Sequence, residues 1–229
     1  MNNRPGFVRV WDLPVRLFHW VLVALLAASW ITAEAGIQYM TWHMRCGYAI
    51  LALVLFRLLW GFVGSPYARC GSFVAGVPAA WRYVRSWFSA RPLRYAGHNP
   101  LGGWMVLALL LLIAAQAATG LFATDDIFND GPLNRLVSND TADTLTGWHH
   151  LIFNLLLVAA ALHVLAVALY LLVKRDNLVL PMVTGRKADD GLHHVQAARR
   201  VPWWRAGILA AASAAMVWAL VEWLPGVAG

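Results

Sequence analysis

Charge is scarce in this chain. Only 13% of its 229 residues are charged while 60% are hydrophobic, and the mean hydropathy is +0.59. That balance excludes a soluble domain of this size and leaves an integral membrane protein. Cysteine is equally sparse. Cys46 and Cys70 fall on opposite membrane sides in the topology developed below, which excludes a disulfide between them. No Cys-x-x-Cys-His run occurs, so covalent attachment of a c-type heme is excluded. No small-residue cleavage signature follows the first apolar run, which therefore reads as a retained helix. There is no internal repeat and no low-complexity linker.

What the chain does have is apolar runs long enough to cross a bilayer. The first opens at Asp12-Leu-Pro14, with Asp as a helix cap and Pro in the first turn, and runs to about Ile31. The second spans about Trp42 to Val63, the third about Leu101 to Phe122, the fourth about Gly147 to Val173 and the fifth about Ala206 to Val221. The third is rich in small residues, among them Gly102, Gly103, Ala114, Ala115, Ala117, Ala118 and Gly120, which permit close approach of a neighbour or cofactor. Thirteen tryptophans suit a protein with several interfacial belts.

The net charge of +7 sorts by loop. The N-terminus is basic. The first connection, with Glu34, is neutral to acidic, and the second carries Arg69, Arg82, Arg85, Arg91 and Arg94 among Trp81, Trp87 and Phe88. Part of that second connection has the pattern of an interfacial amphipathic helix. The third carries Asp125, Asp126, Asp130, Asp140 and Asp143 against Arg135; the fourth carries Lys174, Arg175, Arg186, Lys187, Arg199, Arg200 and Arg205. This alternation is that of the positive-inside rule, with the N-terminus cytoplasmic and, after five spans, the C-terminus periplasmic. Topology thus accounts for the charge, and a nucleic-acid partner is not expected.

Histidine placement carries the functional signal. His149 and His163 are fourteen residues apart, and at about 100° and 1.5 Å per residue they share one face of the fourth span about 21 Å apart along its axis. His150 is roughly 140° off the His163 direction. Histidines in membrane helices also serve as interhelical hydrogen-bond partners or proton relays, and this pair alone does not choose between the readings. Adding His19 on the first span and His43 on the second sorts the four by depth. His43 and His149 form an outer pair, His19 and His163 an inner pair, each able to give a heme iron two trans imidazoles. Arg57 lies fourteen residues after His43 and so faces the same way at the inner depth, either neutralising heme propionates or snorkelling. Arg16 and Arg45 are further propionate candidates. His98, before Asn99-Pro100, either bonds a propionate, helps form a quinone pocket or fixes the helix start. His150 reads as a surface neighbour, and His193-His194 as a solvated loop pair or a weak metal site.

These residues carry a resemblance. The run Val10-Trp-Asp-Leu-Pro-Val-Arg-Leu-Phe-His19-Trp, His43, Phe56-Arg-Leu-Leu-Trp-Gly-Phe-Val-Gly64, Gly97-His-Asn-Pro-Leu-Gly-Gly103, Trp148-His149 and His163 resembles the bacterial cytochrome b561 family. The similar branch is the one related to the b-type cytochrome subunit of nickel-iron hydrogenases, over roughly residues 8 to 187, including Arg175-Asp-Asn-Leu-Val and Met182-Val-Thr-Gly-Arg-Lys187. The resemblance implies four-helix bundles that bind two b-type hemes, with His19, His43, His149 and His163 at the matching positions.

The expected architecture is all-α: an integral membrane four-helix diheme bundle over residues 1–187, then a cytoplasmic connection and a fifth C-terminal transmembrane helix over 188–229. The fifth helix lies outside the histidine-bearing set, against its flank or a partner, and a homo-oligomer is compatible with this layout. The expected place is the bacterial inner (cytoplasmic) membrane. The resemblance implies electron exchange between the quinone pool and a periplasmic redox partner, and the acidic outer loop suits a basic partner face such as that of a c-type cytochrome. An electron carrier is favoured over a stand-alone oxidoreductase. Alternatives are a hydrogenase-anchoring subunit, a superoxide oxidase coupled to quinone, which the acidic outer loops disfavour, and a histidine-lined proton or metal transporter, which would carry no chromophore.

Overall fold

A computed structural model describes residues 6–89, 93–125, 127–189, 192 and 201–227. His193-His194, Arg91, Asp126, Arg199 and Arg200 lie outside the described residues. Five helices are long and apolar enough to cross a membrane: α1 (Leu13–Glu34), α2 (Met40–Val63), α4 (Pro100–Gly120), α5 (Asn139–Leu172) and α7 (Trp203–Trp218), the last extended by a wider turn to Trp223. The chain is a multi-pass membrane protein. Between α2 and α4 lies the short amphipathic α3 (Val77–Ser86), with Ala80 and Tyr83 buried while Trp81, Arg82 and Arg85 face outward.

Local chemistry explains the helix starts. Asp12 accepts from the Val15 amide at 2.9 Å and Asn99 from the Gly102 amide at 2.9 Å, each just ahead of a proline in the first turn. Ser138 does the same for α5 through the Thr141 amide. That cap starts α5 eight residues before the expected Gly147. At about 1.5 Å per residue its 34 residues reach about 51 Å, well beyond the ~30 Å hydrocarbon core. The polar first two turns, Asn139-Asp-Thr-Ala-Asp-Thr-Leu-Thr146, account for most of the excess.

The helices pack in the order α1 on α2, α2 on α4 and α4 on α5, while α7 packs against α2. Val217 and Val221 there meet Leu51, Ala52 and Leu55 of α2, so the fifth span does flank the histidine-bearing set. No comparably close approach joins α5 to α1 or α2, and the interior between them is bridged by side chains such as Trp30 and Phe153, with ring centres 6.0 Å apart. Outward faces are apolar, with Leu155, Leu162, Val164, Leu165 and Leu172 of α5 exposed as a lipid-facing surface requires.

At the α1 N-terminal end, Val10, Trp11, Val15, Phe18, Trp60, Tyr67, Ala68 and Ala96 belong to one buried core. The expectation of an all-α fold misses a two-stranded antiparallel ribbon here. β1 (Phe7–Arg9) pairs with β2 (Arg186–Ala188), Val8 opposite Lys187. The turn into β2 ends α6 (Val179–Thr184) at Gly185, whose φ of +79° and tight seat, 2.7 Å from an added Cβ to the Trp11 carbonyl, both require glycine. Lys187 is nearly buried and bonds Asp176 at 2.9 Å and the Tyr95 carbonyl at 3.3 Å. Lys174 lies 3.8 Å from the Trp87 ring centre, tying the end of α5 to the end of α3.

Candidate functional site

At one end of the interior, α2 presents His43 and α5 presents His149. Their ring centres are 6.1 Å apart with planes at 81°. Each ring is aimed by a helix that contributes no histidine to this pair. His43 Nδ1 lies 2.9 Å from the Ser29 carbonyl and 3.1 Å from its hydroxyl on α1. His149 Nδ1 lies 2.9 Å from the Gln116 carbonyl and 3.2 Å from the Thr119 hydroxyl on α4. Gly120 leaves the space His149 occupies, because a Cβ there would sit 2.9 Å from the ring carbon Cε1. His150 is exposed, with its ring 6.4 Å from that of His149.

Toward the other end, His19 of α1 and His163 of α5 are both half-buried and close enough for their charges to interact. His19 Nδ1 is sealed from solvent and has no hydrogen-bond partner among the described residues. Around this pair gather unmatched donors. Arg57 is 3% exposed, lies 5.7 Å from the Phe73 ring and leaves one Nη without an acceptor among the described residues. The acidic group whose charge it feels, Asp12, is already engaged by the α1 cap and by Trp60 Nε1 at 3.0 Å. Arg16 gives an Nη to the Val183 carbonyl and keeps a buried Nε with no partner among the described residues. Arg45 is not drawn in; it is exposed and stacks over Trp42 at 5.1 Å.

His98 sits between Trp11 and Phe73, ring centres 4.6 and 5.0 Å away. Its Nδ1 is sealed and has no partner among the described residues, although the residue as a whole is only half-buried because it borders a cleft. Burial, then the nearby Arg57 and His163 charges, pushes the His98 imidazole down to about 3, so it is neutral at pH 7. The cleft, about 370 Å³, is lined by Tyr67, Ser72, Arg82, Tyr95, Ala96 and His98 among others. On the loop after α4, the Asn129 side chain and the amides of Asn129, Phe128 and Ile127 bond the Asp125 carboxylate and hold it well below the usual carboxylate range. Among the described residues no cluster of three or more His, Cys, Asp or Glu side chains is arranged to hold a bare metal ion.

The sequence pattern of the prokaryotic cytochrome b561 family matches residues 10–185. The chain belongs to this family. It is therefore a membrane b-type cytochrome, with b-type heme as its cofactor and electron transfer as its work. This cytochrome is 28% identical over 217 residues to a protein of Azotobacter chroococcum mcd 1 named probable Ni/Fe-hydrogenase B-type cytochrome subunit, covering 78% of this chain and 87% of that one. Its counterpart in Azotobacter vinelandii is 28% identical over 211 residues with the same coverage. A probable Ni/Fe-hydrogenase 1 B-type cytochrome subunit of Escherichia coli (strain K12) is 27% identical over 139 residues, 47% of this chain and 58% of that one. No solved structure matches.

The residues present fit a heme. A metal–imidazole bond of about 2 Å, plus about 1 Å to the ring centre, puts each centroid about 3 Å from a shared ion. Trans imidazoles thus need centres about 6 Å apart, the spacing of His43 and His149. The unmatched guanidinium nitrogens of Arg57 and Arg16 are donors for carboxylates. The residues missed by sequence reasoning are Ser29, Gln116 and Thr119, together with the Trp11 and Phe73 walls of His98. Gln116 did carry a signal, as a polar side chain within an apolar span.

Proposed function

We propose that this cytochrome is a diheme electron carrier of the bacterial inner membrane, linking the quinone pool to a periplasmic redox protein. In this reading the outer heme b is held by His43 and His149 and the inner heme b by His19 and His163. The carrying observation is the His43–His149 pair, two rings at 6.1 Å with both Nδ1 atoms at backbone carbonyls, which makes Nε2 the nitrogen each would offer a metal, the Gln116 amide now 3.0 Å from His149 Nε2 giving way. When bound, each heme supplies a reversible one-electron ferric/ferrous couple. The chain supplies imidazoles on three helices, a dry interior, and Arg57 and Arg16 as propionate partners. Arg45 faces lipid headgroups instead.

The two imidazole depths on α5, about 21 Å apart along the axis, span most of the ~30 Å apolar core. Residues 1–187 form the electron-carrying unit, and 188–229 add a cytoplasmic connection and a helix whose outer face is open to lipid, a partner subunit or a second copy. The N-terminus is cytoplasmic and the C-terminus periplasmic. The cleft beside His98 is the quinone site, as its neutral imidazole, Tyr67 and Tyr95 border a space of ring size.

The names of the relatives favour a nickel-iron hydrogenase as the periplasmic partner, with this chain as its membrane anchor and electron acceptor. A c-type cytochrome is the second reading, favoured by Asp125, Asp130, Asp140 and Asp143 around the α4–α5 connection and the first turns of α5. The deciding experiment is a reduced-minus-oxidised spectrum of the purified protein with heme-to-protein stoichiometry. A b-type spectrum with about two hemes per chain is expected, and a ratio near one or below would overturn the diheme reading. Co-purification with a hydrogenase, tested in the source organism, separates the two partners.

A further inference from the structure

Both outer histidines have their Nδ1 atoms held twice over, by a carbonyl and a hydroxyl. Ser29 provides both groups to His43 at 2.9 and 3.1 Å. On α4 the Thr119 hydroxyl points its own proton back at the Ala115 carbonyl, 2.9 Å away, so toward His149 Nδ1 at 3.2 Å it acts as an acceptor. The Gln116 carbonyl at 2.9 Å is the second acceptor. The Gln116 side-chain amide lies 3.0 Å from the other ring nitrogen, His149 Nε2. At the inner depth, by contrast, His19 Nδ1 is buried with no acceptor among the described residues.

An N–H pulled by two acceptors leaves its imidazole more electron-rich, and a more electron-rich ligand favours the ferric over the ferrous ion. We propose that Ser29 and Thr119 are positioning residues that lock the outer imidazoles as Nδ1–H tautomers and hold the outer heme at a lower midpoint potential than the inner one. This rests on the ligand assignment above and adds to it. It gives a role to α4, the one span of the histidine-bearing set without an internal histidine, and a second role to α1, whose His19 serves the inner site.

The test is a redox titration of the purified holoprotein, followed optically and by the g values of the low-spin ferric signals. Ser29→Ala and Thr119→Val keep the carbonyls and remove the hydroxyls. Each single variant is expected to raise the reduced-to-oxidised ratio of the outer heme about threefold at fixed potential. The double variant should raise it about tenfold, which for one electron is about 59 mV. The inner heme should not move. An unmoved outer potential in the double variant, equal shifts of both hemes, or an outer heme already above the inner in the wild type would overturn the proposal. Should a variant lose heme, Ser29→Thr and Thr119→Ser restore the hydroxyls. Return of the wild-type outer potential then supports the inference, and heme bound at a shifted potential overturns it. The underlying ligand assignment fails separately, through His149→Ala keeping two hemes.

Discussion

The two ends of the helix set are built differently. At the His43–His149 end the imidazole Nδ1 atoms lie against backbone carbonyls of α1 and α4, and Gly120 leaves room for the His149 ring. At the His19–His163 end, Arg57, Arg16, His19 and His98 each keep a buried nitrogen with no partner among the described residues, beside Trp11, Trp60, Phe73 and Tyr67. The two guanidinium nitrogens can only donate, and buried donors are normally matched. One end has its imidazole nitrogens engaged within the chain, while the other leaves guanidinium donors unmet among the described residues.

The strongest way to break the contrast is to remove ligands. His149→Ala or His43→Ala should halve the heme content by loss of the outer chromophore, and His163→Ala should remove the inner one preferentially. His150→Ala should leave both; loss of the outer heme there would show that helical phase had chosen the wrong neighbour. Gly120→Val should mimic His149→Ala in the spectrum without touching a ligand, since the added methyls occupy the ring's place.

Next in size is the strap at the inner end. Lys187→Met leaves Asp176 unpaired where both side chains are nearly buried, and loss of one partner of such a pair costs about 3 kcal/mol. Thermal or denaturant unfolding in detergent should report it, and an unchanged midpoint would remove the strap from the account. Asp12→Ala, losing the α1 cap and the Trp60 bond, should cost about 1–2 kcal/mol in the same assay.

The last effect appears only in acid. His98 is held neutral, its folded value near 3 lying below the ordinary 6.5. Between those values the unfolded chain binds the extra proton, so stability falls as pH drops through that window and is unaffected above it. His98→Phe should flatten this acid limb, as read from unfolding midpoints between pH 4 and pH 7; an unaltered slope would assign the limb to another group.

Much of this was legible in the residues. The histidine depths follow from a periodicity that survives any packing detail, and the spans from hydropathy alone. Three things were hidden. The first two turns of α5 are polar, so a reading by apolarity begins at Gly147 although Ser138 carries the cap. Strands of three residues, Phe7–Arg9 and Arg186–Ala188, are too short to show alternation. The supports of the outer imidazoles are largely backbone carbonyls, which every residue possesses and no side chain advertises.

The ribbon between Phe7–Arg9 and Arg186–Ala188 also sets an order of events in time. As the chain leaves the ribosome, its first strand waits, unpaired, until four spans have been threaded into the bilayer and the matching strand emerges. Once it pairs, backbone hydrogen bonds tie the segment ahead of α1 to the segment that follows α5, so the first and last of the histidine-bearing helices are joined outside the apolar spans.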